Sequence, residues 1–186
     1  MRKLAAVFAF LLVLTGCKAG GGDLDRVLTL RATLLQSAGC SFTAVITADY
    51  GKQISQFTLD CKADQKGNVT FTVVQPQTIS GITGTVSGKG GKLTFDDRVL
   101  AFELLADGQL SPVSAPWVFV KTLRGGYITS VGMDGDHLRS AIDDSYADDA
   151  LQLDIWHGIG DLPIRAEFLW NSRRILSMEI KNFQIL

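Results

Sequence analysis

Hydrophobic and polar positions follow three different patterns along the chain. Residues 4–14 form an unbroken apolar run of eleven residues. Beyond a glycine tract, Leu24, Val27, Leu28, Leu34 and Leu35 recur with the helical period, and Arg31 completes the stripe. Asp23 stands where an N-cap would, and Gly39 where a helix stops. This pattern predicts one helix laid on a sheet. From Ser41 the period changes to two. Phe42, Ala44 and Ile46 alternate with Ser41, Thr43 and Thr47, and Phe57 and Leu59 mark the returning strand.

The first hairpin carries a testable register. A two-residue turn at Tyr50-Gly51 sets Phe42 opposite Leu59, Ala44 opposite Phe57 and Cys40 opposite Cys61. Opposed Cα atoms of a non-hydrogen-bonded pair lie about 4.5 Å apart, within disulfide reach. The expectation is a Cys40–Cys61 disulfide, worth about 3 kcal/mol, with two buried thiols as the alternative. Val69, Phe71 and Val73 continue the alternation until Pro76 breaks it. Residues 79–87, with Gly81 and Gly84, predict a strongly curved strand. Leu93 and Phe95, a turn at Asp96-Asp97 and a strand over 99–104 follow, ending at Asp107-Gly108.

Ser111-Pro112 resembles an N-cap followed by a first-turn proline. The segment through Trp117, Val118, Val120 and Leu123 predicts a short helix ending at Gly125-Gly126, its start delayed by Pro116. Strands are expected at 127–131, 138–142 and 151–156. A last hairpin with a three-residue loop, Asn171-Ser172-Arg173, pairs Phe168 with Leu176, Ala166 with Met178 and Ile164 with Ile180. On its reverse face Arg165 meets Glu179, and a one-residue slip would lose every match.

The apolar run over 4–14 is too short for a spanning helix, which needs about 20 residues. Arg2 and Lys3 before it and small residues after it fit a secretory signal over residues 1–16. Leu14-Thr15-Gly16-Cys17 closely resembles the lipobox of bacterial lipoproteins. That resemblance implies cleavage before Cys17 and a diacylglyceryl group on its sulfur. Each buried CH₂ contributes about 0.8 kcal/mol, so two or more chains anchor stably. Residues 17–22 become a glycine-rich tether with a reach of roughly 12 Å. The domain at 23–186 is then held at the extracytoplasmic face of the cell membrane. Without the leader, sixteen basic side chains face nineteen acidic ones, a net charge of −3. Such a balance gives no support for nucleic-acid binding, which favours a concentrated basic face.

Candidate chemistry is sparse. Asp134, Asp136 and His137 could be written as metal ligands, but Asp134-Gly135-Asp136 is also ordinary turn chemistry, so no metal is expected. Asp143, Asp144, Asp148 and Asp149, around Ser145 and Tyr146, read as a solvated loop. Ser87-Gly88-Lys89-Gly90-Gly91-Lys92 lacks the spacing and the following helix of a phosphate loop. The segment from His157 to Pro163 is a connector or a loop over the sheet mouth. No nucleophile–base–orienter set is recoverable, so the expectation is a non-enzyme without cofactor. A hydrolase on Asp134, Asp136, His137 or the acidic cluster ranks last.

The element order, from lipobox through amphipathic helix, meander and proline-started helix to final strands, resembles the lipoprotein-localisation fold of the LolA and LolB proteins. The best local matches are Asp107-Gly108 with Ser111-Pro112, and the segment Leu162-Pro163-Ile164-Arg165-Ala166-Glu167-Phe168. The resemblance implies an α+β, mainly β fold: a curved antiparallel sheet, an open half-barrel, with an N-terminal and a mid-chain helix covering its concave face. It implies a binding module for a lipid, acyl chain or other apolar ligand. The chain also looks similar to lipid-anchored spore-germination proteins of this fold, which implies the alternative of an accessory lipoprotein supporting an envelope or cell-wall enzyme.

Overall fold

The computed structural model describes residues 21–87 and 110–186. The signal, Cys17, most of the tether and the strands expected between Gly88 and Gly108 lie outside the described residues. Helix α1 (Gly21–Gln36) leads into β1 (Gly39–Asp49), β2 (Ile54–Asp64), β3 (Val69–Gln75) and β4 (Thr83–Val86). Helix α2 (Ala115–Gly125) precedes β5 (Tyr127–Asp134), β6 (His137–Asp143), β7 (Gln152–His157), β8 (Pro163–Trp170) and β9 (Arg173–Ile185). The fold is therefore mainly β. Among the described residues, nine antiparallel strands form one open sheet in the order β4-β3-β2-β1-β9-β8-β7-β6-β5, and both helices pack on it.

The strict alternation of β1, which neighbours the central strand β9, gives it one buried face. Phe42, Ala44, Ile46 and Ala48 are buried, while the residues between them are only partly covered. Phe71 and Val73 of β3, Leu153 and Ile155 of β7, Phe168 of β8 and Met178 of β9 extend this inner layer. Against it lie Val118, Phe119, Val120 and Leu123 of α2 and Leu30 and Leu34 of α1. Phe119 meets the Phe42 ring edge-on at 5.6 Å, joining α2 to the middle of the sheet.

Antiparallel pairing assigns every connection to one of two ends. At the near end lie the start of β1, the β2–β3 turn, the β5–β6 turn, the β7–β8 loop and the end of β9. At the far end lie the β1–β2 turn, the β6–β7 loop and the β8–β9 turn. Helix α1 is tied to the near end at both of its own ends. Arg26 Nε and Nη2 donate to Asp161 Oδ1 in the β7–β8 loop at 3.0 and 2.6 Å, and Ala38 N–H donates to the Leu186 carbonyl at 3.0 Å.

Several expectations need correction. The expected Cys40–Cys61 disulfide is not formed: both are buried free thiols. The β1–β2 turn has four residues, Tyr50 to Gln53, closed by Tyr50 N–H to the Gln53 carbonyl, with Gly51 at φ +82°. This moves the register by two, so that Cys61 faces Phe42 and Cys40 faces Ala63. The cysteines share a face as diagonal neighbours, about 7–8 Å apart and outside the usual Cα separation of a bridge.

Asp23 lies inside the first turn of α1, where a carboxylate suits the helix dipole, rather than capping it. The buried stripe is Val27, Leu30 and Leu34, and Leu24, Leu28 and Leu35 stay exposed along its flank. The curved strand expected over 79–87 shortens to β4, after a 3₁₀ turn at Gln77–Ile79. Helix α2 begins at Ala115 with Pro116 in its first turn, and the Gly126 N–H closes it on the Thr122 carbonyl.

The last hairpin keeps its expected register at Arg165–Glu179, Ala166–Met178 and Phe168–Leu176. Its loop has two residues, Asn171 and Ser172, at φ 50° and 62°, and a bulge after Phe168 absorbs the remaining residue. Arg165 turns away from Glu179 and pairs with Glu167 on its own strand.

Candidate functional site at the helix–sheet seam

Helices α1 and α2 and the β2–β3 turn meet at a seam over the inner face of the sheet. Trp117, Lys121 and Arg124 stand at i, i+4 and i+7 on α2 and so share one face of that helix. Leu35, at the end of α1, stands across from them. Together with Lys66 and Gly67 they line a cleft of about 440 Å³. That volume falls in the range of small-ligand sites, about 300–1,000 Å³. Its walls pair an indole and a leucine with three cations. Lys121 Nζ lies 5.7 Å from the Trp117 ring centroid and 3.3 Å from Asp144 Oδ2.

Two arginines fasten the seam. Arg124 Nη1 donates to the Leu34 carbonyl at 2.8 Å and Nη2 to the Gln65 carbonyl at 2.7 Å, holding α1, α2 and the turn together. Arg31 Nε donates to the Leu123 carbonyl at 2.9 Å. Its Nη2 is buried without a hydrogen-bond partner, one helical turn before Leu35. Burial pulls the Arg31 guanidinium below the ordinary arginine value. An unmet N–H on a half-buried cation suits an anionic oxygen.

The other residues singled out from sequence are dispersed. Asp134 closes the β5–β6 turn with His137, and its Oδ2 accepts from Trp156 Nε1 at 2.8 Å on the outer face. Arg139 and Arg165 flank that indole, with guanidinium carbons 5.5 and 4.6 Å from its centroid. Among the described residues no three metal-ligating side chains converge. Asp144 is occupied by Lys121 and by the Leu151 N–H, which binds the acidic loop to the fold. Asp143 is raised by burial and by Asp144 beside it.

Sequence reading missed a buried hydroxyl–imidazole pair. Ser140 Oγ lies 2.9 Å from His157 Nε2, and His157 Nδ1 lies 2.9 Å from the Asp161 carbonyl. A carbonyl can only accept, so Nδ1 carries the proton and Nε2 accepts from the Ser140 hydroxyl. The arrangement is that of a base beside a nucleophile. Yet Ser140 and His157 are buried, and each ring nitrogen already has its partner. The pair fixes the β7–β8 loop and offers no face to a substrate. Facing residues at diagonal positions on β6 and β7 (His157 opposes Leu138) carried no periodic signal that could have revealed it.

No family model matches this chain, and no curated protein matches it. Solved structures do. One is an uncharacterised conserved protein from Thermus thermophilus, with 11% identity over 89% of this chain and 86% of that one, at a TM-score of 0.43. A LolA superfamily protein from Nitrosomonas europaea has 7% identity over 88% and 93%, at 0.40. The lipoprotein LppX of Mycobacterium tuberculosis has 13% identity over 87% and 96%, at 0.38. At these values the likeness is one of overall chain path.

Proposed function

We propose that this chain is a non-catalytic binding module, anchored at the extracytoplasmic face of a membrane by a lipid on Cys17, that accepts an acyl chain or another apolar ligand with an anionic end. The supporting observation is the seam cleft, where Trp117 and Leu35 meet Lys66, Lys121 and Arg124 over an apolar inner sheet. Its indole and leucine suit a hydrocarbon, and its cations suit a carboxylate or phosphate. Native mass spectrometry of the gently extracted protein should find co-purifying amphiphile, and Trp117→Ala with Lys121→Ala should remove it. Protein of bare mass, indifferent to added fatty acid by Trp fluorescence, would end this reading.

One observation favours the second reading, an accessory lipoprotein that holds an envelope enzyme. β5 is an eight-residue edge strand with one neighbour, β6, among the described strands. Such an edge can accept a strand from another protein. Pull-downs from solubilised membranes that recover an envelope enzyme, and lose it on a proline substitution at Ser130, would favour that reading.

A further inference from the structure

We infer that the near end of the sheet lies on the bilayer, with the β7–β8 loop and the exposed leucine flank of α1 inserted among the lipid headgroups. Nine large apolar side chains are exposed among the described residues, and seven of them belong to this end. Leu24 and Leu28 stand on the exposed flank of α1, and Leu35 lies on the same flank at the mouth of the cleft. Ile159, 98% exposed, tips the β7–β8 loop, and Met133, 56% exposed, precedes the β5–β6 turn. Ile164 and Leu186 complete the set, whereas only Ile54 and Tyr146 belong to the far end. An apolar concentration on one end of a molecule marks an interaction surface.

The course of the chain selects the occupant. Gly21 opens α1, and three residues separate it from Cys17, so the four Cα–Cα steps reach about 14 Å at full extension. The Arg26–Asp161 pair holds the first turns of α1 beside the Ile159 loop. A lipid on Cys17 therefore enters the bilayer next to Ile159, Leu24 and Leu28, and the far end points away. Asp23, Asp25, Asp134 and Asp136 lie among these apolar residues, so contact proceeds by apolar insertion and not by attraction to anionic lipid.

This inference rests on the anchoring reading, and one experiment separates the two. Full-length protein carrying Ile159→Cys or Lys52→Cys is expressed with labelled palmitate, coupled to an environment-sensitive fluorophore and placed in phosphatidylcholine vesicles with or without spin-labelled lipid. Cys40 and Cys61 are buried and do not compete for the dye. The label at position 159 should lose about half or more of its emission to the quencher, as depth in the headgroup region requires. The label at position 52, in the far-end turn, should not. Palmitate incorporation with equal or absent quenching at the two positions overturns the orientation and leaves the anchor intact. A blue shift at 159 without lipid quenching means burial against protein, a partner or a second copy, and overturns it also. Absence of palmitate overturns both.

Discussion

Cys40 and Cys61 occupy the inner face of β1 and β2, and their burial has chemical consequences. Burial pushes the Cys40 thiol up to about 11, and the Cys61 thiol still higher. Neither is thiolate at neutral pH, so both should resist alkylation until the protein is unfolded. Reductant should leave the melting temperature unchanged, which calorimetry with and without dithiothreitol can check. His157 gives the opposite kind of handle. Burial lowers its affinity for a proton, so the unfolded chain takes up a proton that the folded one refuses. Stability is then full above about pH 6.5 and declines as pH falls below it. Among the carboxylates, Asp64 and Glu167 are held below the ordinary range by their hydrogen bonds, whereas burial and Asp144 raise Asp143. Thermal melts between about pH 7 and pH 5.5 should fall more steeply for the native chain than for His157→Gln.

Among the elements, two glycines hold strands in contact. Gly39 adopts φ +145°, and a Cβ there would lie 2.0 Å from the Ala63 carbonyl oxygen. A Cβ on Gly84 would meet the buried Phe71 ring at 2.6 Å. Gly39→Ala should cost about 3 kcal/mol or more, because backbone and not a side-chain tip must move. Gly84→Ala should cost less, as Phe71 can tilt; urea titration would rank them. Much of this level was legible in sequence. The alternation of β1, the stop of α2 at Gly125-Gly126 and the register of the last hairpin all follow from local chemistry. The first hairpin was misread because a shift of two residues keeps every side chain on the same face. Periodicity cannot detect such a shift; only the four-residue turn, with Asp49 Oδ1 accepting from Gly51 N–H at 2.7 Å, decides it. Helix α1 was misread for a related reason: its leucines span a broad arc of the helix, and sequence cannot say which of them face inward.

At the scale of the whole molecule, the helices act as a cover fastened by few polar contacts. Arg124→Met should lose the hydrogen bonds to Leu34 and Gln65 and cost about 1.5–3 kcal/mol. Amide exchange should then rise in α1 ahead of the central strands. The spacing of Trp117, Lys121 and Arg124 puts them on one face of α2, but nothing in the sequence marks that face as a site, and Leu35, Lys66 and Gly67 join it only through the fold. The sheet order carries one more consequence. Its middle is the pairing of β1 with β9, the first strand with the last, and the Leu186 N–H donates to the Gly39 carbonyl at 2.9 Å. A chain made from its N-terminus would therefore hold β1 with one of its two neighbours missing until β9 is made. The strands before α2 could pair early, but the sheet joins only when β9 does. In that interval the flank of β1 that β9 later covers is an unpaired strand edge.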